Sequence, residues 1–170
     1  ISMYFTDAAT GSGSVEIPIS LADWVNYNET GTRLWSGKTF SNNNFAEFSS
    51  FFSASGVSDK TWLITPAIDL TATTTPKFSF STLTRFANGY PLKAMISTDY
   101  DGTTAGIATA TWTELPFTKP TVNDVSVRSG AIDLSGYTTS DNVRIAFKYT
   151  GSKTTGGITT TLQLDNIKIT

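Results

Sequence analysis

The stretch Trp62-Leu63-Ile64-Thr65-Pro66-Ala67-Ile68-Asp69-Leu70 is the densest apolar run in the chain and lies between stretches of strand periodicity. It reads as a buried strand interrupted once. Proline has no N–H to give a sheet ladder, so Pro66 marks an edge, a bulge or a bend, after which Ile68 and Leu70 resume packing. Downstream, Lys77-Phe78-Ser79-Phe80-Ser81 alternates, as do Leu92, Ala94 and Ile96 against Lys93 and Ser97. Period two is the mark of a strand with one buried face. Val143, Ile145, Phe147 and Tyr149 against Arg144, Ala146, Lys148 and Thr150 give the cleanest alternation and predict a core strand with one wet face. In the last strand Leu162 and Leu164 fall on one face and Ile167 and Ile169 on the other. A bulge at Asp165-Asn166 would turn both pairs inward.

Upstream the signals are shorter. Val15, Ile17 and Ile19 alternate, with Pro18 holding them near an edge. Residues 21–31, with Trp24, Tyr27, Asn28 and Glu29, read as a loop. Trp35, Gly37 and Thr39 share one face of a strand that ends in the turn signal Ser41-Asn42-Asn43-Asn44. Residues 45–52 fit both periods; strand is preferred, because Ser and Phe are poor helix formers and no capping box precedes the run. Asp99-Tyr100-Asp101-Gly102 reads as a β-turn with Gly at a positive φ, and further strands are expected at 111–115 and 126–134. The sum is roughly ten short strands and no helix, which predicts two packed antiparallel sheets. One domain over residues 1–170 is expected, within the usual span of about 100–200 residues.

Composition narrows the function. With 12 basic and 14 acidic residues the net charge is −2, and no Lys or Arg run offers the basic stripe that nucleic acid requires. The absence of cysteine removes disulfides, thiolate metal sites and thiol nucleophiles. The absence of histidine removes the Ser-His-Asp triad and the usual zinc sites. Glu16, Glu29, Glu47 and Glu114 are available for glycosidase chemistry, but nothing in their spacing pairs them, and a non-enzymatic reading is preferred. No apolar run approaches the ~20 residues of a membrane span. Low charge with abundant Thr, Ser, Gly and Asn suits a secreted or surface module.

The order of these pieces carries a resemblance. The run 62–70, the strand at Phe78 and Phe80, Met95-Ile96-Ser97-Thr98-Asp99-Tyr100-Asp101-Gly102, Trp112-Thr113-Glu114-Leu115, Ile132-Asp133-Leu134-Ser135-Gly136-Tyr137, the strand 143–149 and Leu164-Asp165-Asn166-Ile167 together resemble the choice-of-anchor J domains. These are similar to the cleaved adhesin domains of bacterial surface proteases and more distantly to MAM domains. The match is good over about residues 60–170 and loose over 1–58. The resemblance implies an all-β, two-sheet antiparallel jelly-roll β-sandwich of the galactose-binding-like type. It also implies an extracellular, non-catalytic module of a secreted or surface-anchored protein, chiefly of Bacteroidetes, as part of a lipoprotein whose signal and anchor lie upstream.

Two kinds of site follow. By the resemblance, calcium would lie between Asp7, after Phe5, and Asp165, completed by carbonyls, an amide such as Asn166, and water to six to eight oxygens. Thr6 stands where the family often has an acid, which points to a ligand elsewhere, such as Glu29. The alternative is that Asp165 accepts backbone hydrogen bonds at a bulge and Asp7 is a turn residue. From the residues themselves, Trp24, Tyr27, Trp35, Tyr90 and Tyr100 lie in or beside expected loops, with Arg33, Arg85 and Asn88 nearby. Sugar rings stack on exposed aromatic faces while polar side chains read their hydroxyls, so these residues are candidates for a glycan site, or for one taking an extracellular protein. Trp62 and Trp112 are assigned to the core. The competing class is a structural spacer with no ligand of its own.

Overall fold

The computed structural model describes residues 1–3 and 5–170. In chain order the strands are β1 (Ser2–Met3), β2 (Ile17–Pro18), β3 (Val25–Thr30), β4 (Ser36–Phe40), β5 (Asn43–Phe48), β6 (Ser58–Ile64), β7 (Lys77–Arg85), β8 (Leu92–Ser97), β9 (Thr113–Leu115), β10 (Val127–Arg128), β11 (Ile132–Asp133), β12 (Arg144–Ser152) and β13 (Thr161–Ile169). They form two antiparallel sheets. One has five strands in the order β3-β6-β12-β8-β9; the other has eight, along β10-β7-β13-β5-β4-β2, with β1 paired to β13 and β11 to β7. Three short 3-10 turns are the only helical elements among the described residues, and none is long and apolar enough to cross a membrane. The expected two-sheet β-sandwich, a jelly roll, is what the chain forms.

The core is built by alternation. Leu63, Ile145, Phe147, Tyr149, Leu92, Ala94 and Ile96 face inward from the five-stranded sheet and meet Phe48, Phe78, Phe80, Leu162 and Leu164 from the other. Phe80 stands edge-on to Phe147 at 5.1 Å, and Phe48 packs 4.6 Å from Tyr149. The Tyr149 hydroxyl is satisfied inside, donating to the Thr160 carbonyl at 2.7 Å and accepting from the Ser50 N–H at 3.1 Å. That satisfaction lets a phenol sit in the core without an orphaned polar atom.

Pro66 acts as expected. β6 ends at Ile64, Thr65 continues the contact by accepting the Ile145 N–H on its hydroxyl at 3.0 Å, and Ile68 then exchanges both backbone hydrogen bonds with Val143. The slip in the last strand is also a bulge. The β13–β7 register shifts between Asp165 and Lys168, Asn166 takes a positive φ of 52°, and Leu164 and Ile167 are both buried. Asn tolerates this backbone region better than most residues.

Two expectations are corrected. Residues 25–30 form strand β3 rather than a loop; its pattern is hidden because Asn26 takes an inward place. The Asn26 side chain donates to the Ile19 and Trp35 carbonyls and accepts the Trp35 N–H, so a polar residue closes that edge of the sandwich. Residues 45–52 are strand only to Phe48, after which Ser50–Phe52 make a 3-10 turn capped by the Ser49 hydroxyl.

That turn is tied down by a buried carboxylate. Asp59 accepts the Ser50 and Ser53 hydroxyls on Oδ2, each at 2.7 Å, while Oδ1 lies against Gly31. A Cβ at Gly31 would stand 2.3 Å from Oδ1, and φ there is +88°. Gly31→Ala is therefore expected to combine about 1–2 kcal/mol of left-handed backbone strain with about 1–3 kcal/mol of overpacking. Gly56, at φ +83° with nothing within 4 Å, isolates the backbone part. The denaturant midpoint should fall further for Gly31→Ala than for Gly56→Ala, and equal losses would mean that the Asp59 contact is not the constraint.

Candidate functional site

The outer face of the five-stranded sheet carries a second apolar layer. Trp62, Ile64 and Ala146 point outward there and are joined by Tyr100 and Ile107 from the segment between β8 and β9, with Tyr27, Met95 and Trp112 packed around them. This explains why β6 shows four consecutive buried residues, Thr61, Trp62, Leu63 and Ile64, where a half-wet strand would alternate. The covering segment is built by its aspartates. Asp99 accepts the Ser97 hydroxyl and the Thr111 N–H, and Asp101 accepts the N–H and hydroxyl of Thr103. Gly102 supplies the expected positive φ, +85°. These hydrogen bonds hold both carboxyls below the ordinary carboxylate range.

Between this cover and the sheet lies a groove of about 310 Å³. Register pairing sets a row across its floor, with Tyr27 opposite Trp62 and Trp62 opposite Lys148, and continues beyond the groove to Lys93, opposite Lys148. Trp112 donates its indole N–H to the Ile107 carbonyl at 3.0 Å and packs 5.3 Å from Trp62. The Trp62 indole donates to Glu29 at 2.8 Å, and Lys60 reaches the other Glu29 oxygen at 3.2 Å. Burial raises the Glu29 carboxyl, but the hydrogen bonds from Trp62 and Lys60, with the charges of Lys60 and Lys148, outweigh it and leave it lowered. The groove thus joins half-buried aromatic faces, Tyr27 and Trp112, to an ionised carboxylate and an ammonium.

A larger depression, about 580 Å³, crosses the outer face of the eight-stranded sheet. Its polar groups are already engaged with one another. Gln163 donates to Glu47 at 2.9 Å, Asn43 to Asp165 at 2.8 Å and Arg85 to Asp124 at 2.7 Å, while the Lys38 ammonium is held by the Gly13 and Val15 carbonyls. Its aromatic residues are Phe40 and Phe45, and Phe45 is buried.

The structure separates the residues expected at a ligand site. Tyr27 lines the groove. Trp35, with 0 % exposure, is a core residue between Phe48 and Tyr149, and Tyr100, also at 0 %, is the buried underside of the covering segment, so neither offers a face to a ligand. Trp24 is half-buried against Phe5, and Tyr90 is half-buried against Phe117, both away from the groove. Trp62, assigned to the core from sequence, is buried in the outer apolar layer and floors the groove, whereas Trp112, assigned likewise, is half-buried and forms its wall. Burial alone was legible for them; the layer that covers them was not.

The expected calcium ligands lie as follows. Asp7 is exposed after Phe5, and Asp165 accepts Asn43 on one oxygen and the Asn166 N–H on the other, the bulge role foreseen as its alternative. The Asn44 amide nitrogen reaches the Phe5 and Thr6 carbonyls at 3.4 and 3.3 Å. Glu29 belongs to the other sheet and to Trp62 and Lys60. Among the described residues no three Asp, Glu, His or Cys side chains gather into a metal cluster.

The fold is shared with solved structures of low sequence identity. The K1 cleaved adhesin domain of Lys-gingipain from Porphyromonas gingivalis is 18 % identical with a TM-score of 0.59, over 100 % of this chain and 96 % of that one. The K3 cleaved adhesin domain of the same protein is 16 % identical with a TM-score of 0.55, over 100 % and 98 %. The family 30 carbohydrate-binding module of a cellulosomal cellulase of Clostridium thermocellum is 12 % identical with a TM-score of 0.51, over 86 % and 91 %. No family model matches the sequence, and no curated protein matches it either. At these identities the likeness is one of fold.

Tyr90 yields a measurable pH dependence. Burial pushes its hydroxyl up to about 12, offset in part by the Thr82 hydroxyl 3.4 Å away, which can donate to the phenolate. The native state keeps a proton that the unfolded chain releases near pH 10, so this contribution is intact below about 10 and is lost as pH rises through about 12. Tyr100 and Tyr149 are raised for the same reason, burial. The fall in melting temperature between about pH 10 and 12 should be shallower in Tyr90→Phe than in the parent protein; identical slopes would show that Tyr90 titrates normally.

Proposed function

We propose that the chain is a non-catalytic glycan-binding module of a bacterial surface protein, with its ligand seated between Tyr27 and Trp112 on the five-stranded sheet. The observation that carries this is the groove itself, where half-buried aromatic faces lie beside Glu29 and Lys148. A sugar ring presents C–H faces that pack on the Trp and Tyr rings. The lone pairs that Glu29 does not give to Trp62 and Lys60 accept sugar hydroxyls. Among the described residues Glu29 is the only carboxylate lining this groove, whereas glycoside hydrolysis takes a facing pair. The fold likeness to cleaved adhesin domains and to a carbohydrate-binding module supports the reading. The order of motifs supports membership of the choice-of-anchor J domains and an extracellular, anchored setting. A spacer with no ligand would have no use for an aromatic groove left open beside polar groups.

Calcium at Asp7 and Asp165 is the finer part of the same proposal. Exchanging O and N of the Asn44 amide leaves its shape unchanged and would set an oxygen beside the Phe5 and Thr6 carbonyls, adding neutral ligands to the two carboxylates. Native-state binding must raise stability, so melting in millimolar calcium should exceed melting in chelator. An unchanged melting temperature would leave this corner as a hydrogen-bonded junction without a metal.

The glycan reading is tested on an array and by calorimetry on its hits. Tyr27→Ala and Trp112→Ala should each weaken binding roughly tenfold or more, as expected of an anchoring aromatic. Trp24→Ala and Tyr90→Ala should leave it unchanged. Tyr27 lies on an edge strand, so its variant reports binding even if Trp112→Ala loosens the cover. Silence across the whole array, or full affinity in both groove variants, would overturn the reading.

A further inference from the structure

The charges along the groove do not cancel. Three lysines and two glutamates share this face: Lys60 is taken by Glu29 at 3.2 Å and Lys93 by Glu114 at 2.8 Å. In the register of the sheet Lys148 stands between Trp62 and Lys93, with Lys60 two residues along β6 from Trp62, and among the described residues no carboxylate lies within 4.0 Å of it. What faces it is the Trp62 ring, 4.7 Å from its nitrogen. A ring quadrupole compensates a cation only weakly compared with a carboxylate. Burial disfavours the Lys148 charge, and Lys60 and Lys93 repel it; Glu29 opposes these effects only in part, so its proton is held less tightly than usual. Lys119 and Lys153 also stand over aromatic rings, but neither lines either of the two depressions described above. The excess is local, since the whole chain carries −2.

We propose that Lys148 receives the carboxylate or sulfate of an acidic sugar, so that the glycan bound between Tyr27 and Trp112 is an anionic chain. This rests on the glycan reading and narrows it. An anion in the groove would complete the charge balance of the row, and its hydrogen bond to an ammonium is of the charge-assisted, stronger kind. The aromatic faces would hold the ring, and Lys148 would select which rings are held. Neutral chains would still stack but would leave the ammonium without its partner, and discrimination comes from such unmet groups.

The test uses a glycan array with neutral, carboxylated and sulfated chains, followed by matched pairs in which the carboxyl of a hit is reduced or its sulfate removed. The acidic member of a pair should bind roughly tenfold or more tightly, and the difference should shrink in high salt. Lys148→Met keeps the alkyl stem over Trp62 and removes the charge. It should abolish the preference for the acidic member of each pair while neutral chains still bind and the melting temperature is no lower than the parent's, and Lys148→Arg should restore the preference. Carboxylated and sulfated hits separate the two sources of the anion. Equal affinity for both members of each pair, with Tyr27→Ala still damaging, would overturn the anionic inference alone. A Lys148→Met variant that loses neutral and acidic chains equally would make Lys148 a packing residue and overturn it as well. No binding of any chain would remove both readings.

Discussion

The fold depends on one strand whose two faces are both out of water. β6 gives Leu63 to the layer between the sheets and Trp62 and Ile64 to the layer outside it, and all three are buried. Antiparallel sheets usually leave one face wet, so a continuous apolar run in such a sheet demands a cover. Here the cover is the segment between β8 and β9, carrying Tyr100, Ile107 and Trp112. Fully burying each large side chain is worth about 1.5–3 kcal/mol, enough to hold in place a loop that makes few ladder hydrogen bonds of its own. Stability and site share a cause: the residues that close the outer layer also form the walls of the groove.

The acidic residues of the recurring motifs follow from the same demand. Asp69, Asp101 and Asp133 each accept the N–H and hydroxyl of a Ser or Thr two positions later, closing a local turn. Asp133 is held down to about 2, first by the Ser135 hydroxyl and then by the Ser135 N–H and Lys77. Short polar side chains that mimic a backbone turn let strands begin and end without leaving N–H groups unpaired. These aspartates are construction elements, and their repetition accounts for much of the recognisable order of the sequence. The cover is not fully satisfied, because the Tyr100 hydroxyl is buried with no partner among the described residues.

Where the sequence carried a period it was readable. Alternation on β12 and β7 placed the core faces, Pro66 placed the break, and the phase slip at Asp165-Asn166 placed the bulge. β3 was unreadable for the opposite reason: Asn26 fills an inward position and is satisfied by backbone groups, so hydropathy reports a loop. The candidate site was legible only at Tyr27. Trp35 and Tyr100 sit next to turn residues in sequence yet are wholly buried, whereas Trp62 and Trp112 meet across 50 residues of chain. Period two tells which side of a strand a residue takes. It does not tell what lies over that side, and the groove exists only through what lies over it.

The two Lys-gingipain adhesin domains and the family 30 module share this sandwich at 18, 16 and 12 % identity, which is what a fold defined by inner-face alternation permits. Any sequence that keeps apolar residues at the inward positions can adopt it, and the outer faces are then free to diverge. Chemistry on those faces has to be argued from this chain's own residues. On the eight-stranded sheet, Glu47 with Gln163 and Asp165 with Asn43 neutralise one another's hydrogen-bonding demand, as a solvated face tends to. On the five-stranded sheet Lys60 and Lys93 have carboxylate partners and Lys148 has none within 4.0 Å, and it stands where two aromatic rings leave room. A half-buried cation with no carboxylate at salt-bridge distance costs stability, since burial penalises a charge unless it is closely paired. A binding role is the reading under which that cost is offset, because the missing partner then arrives with the ligand.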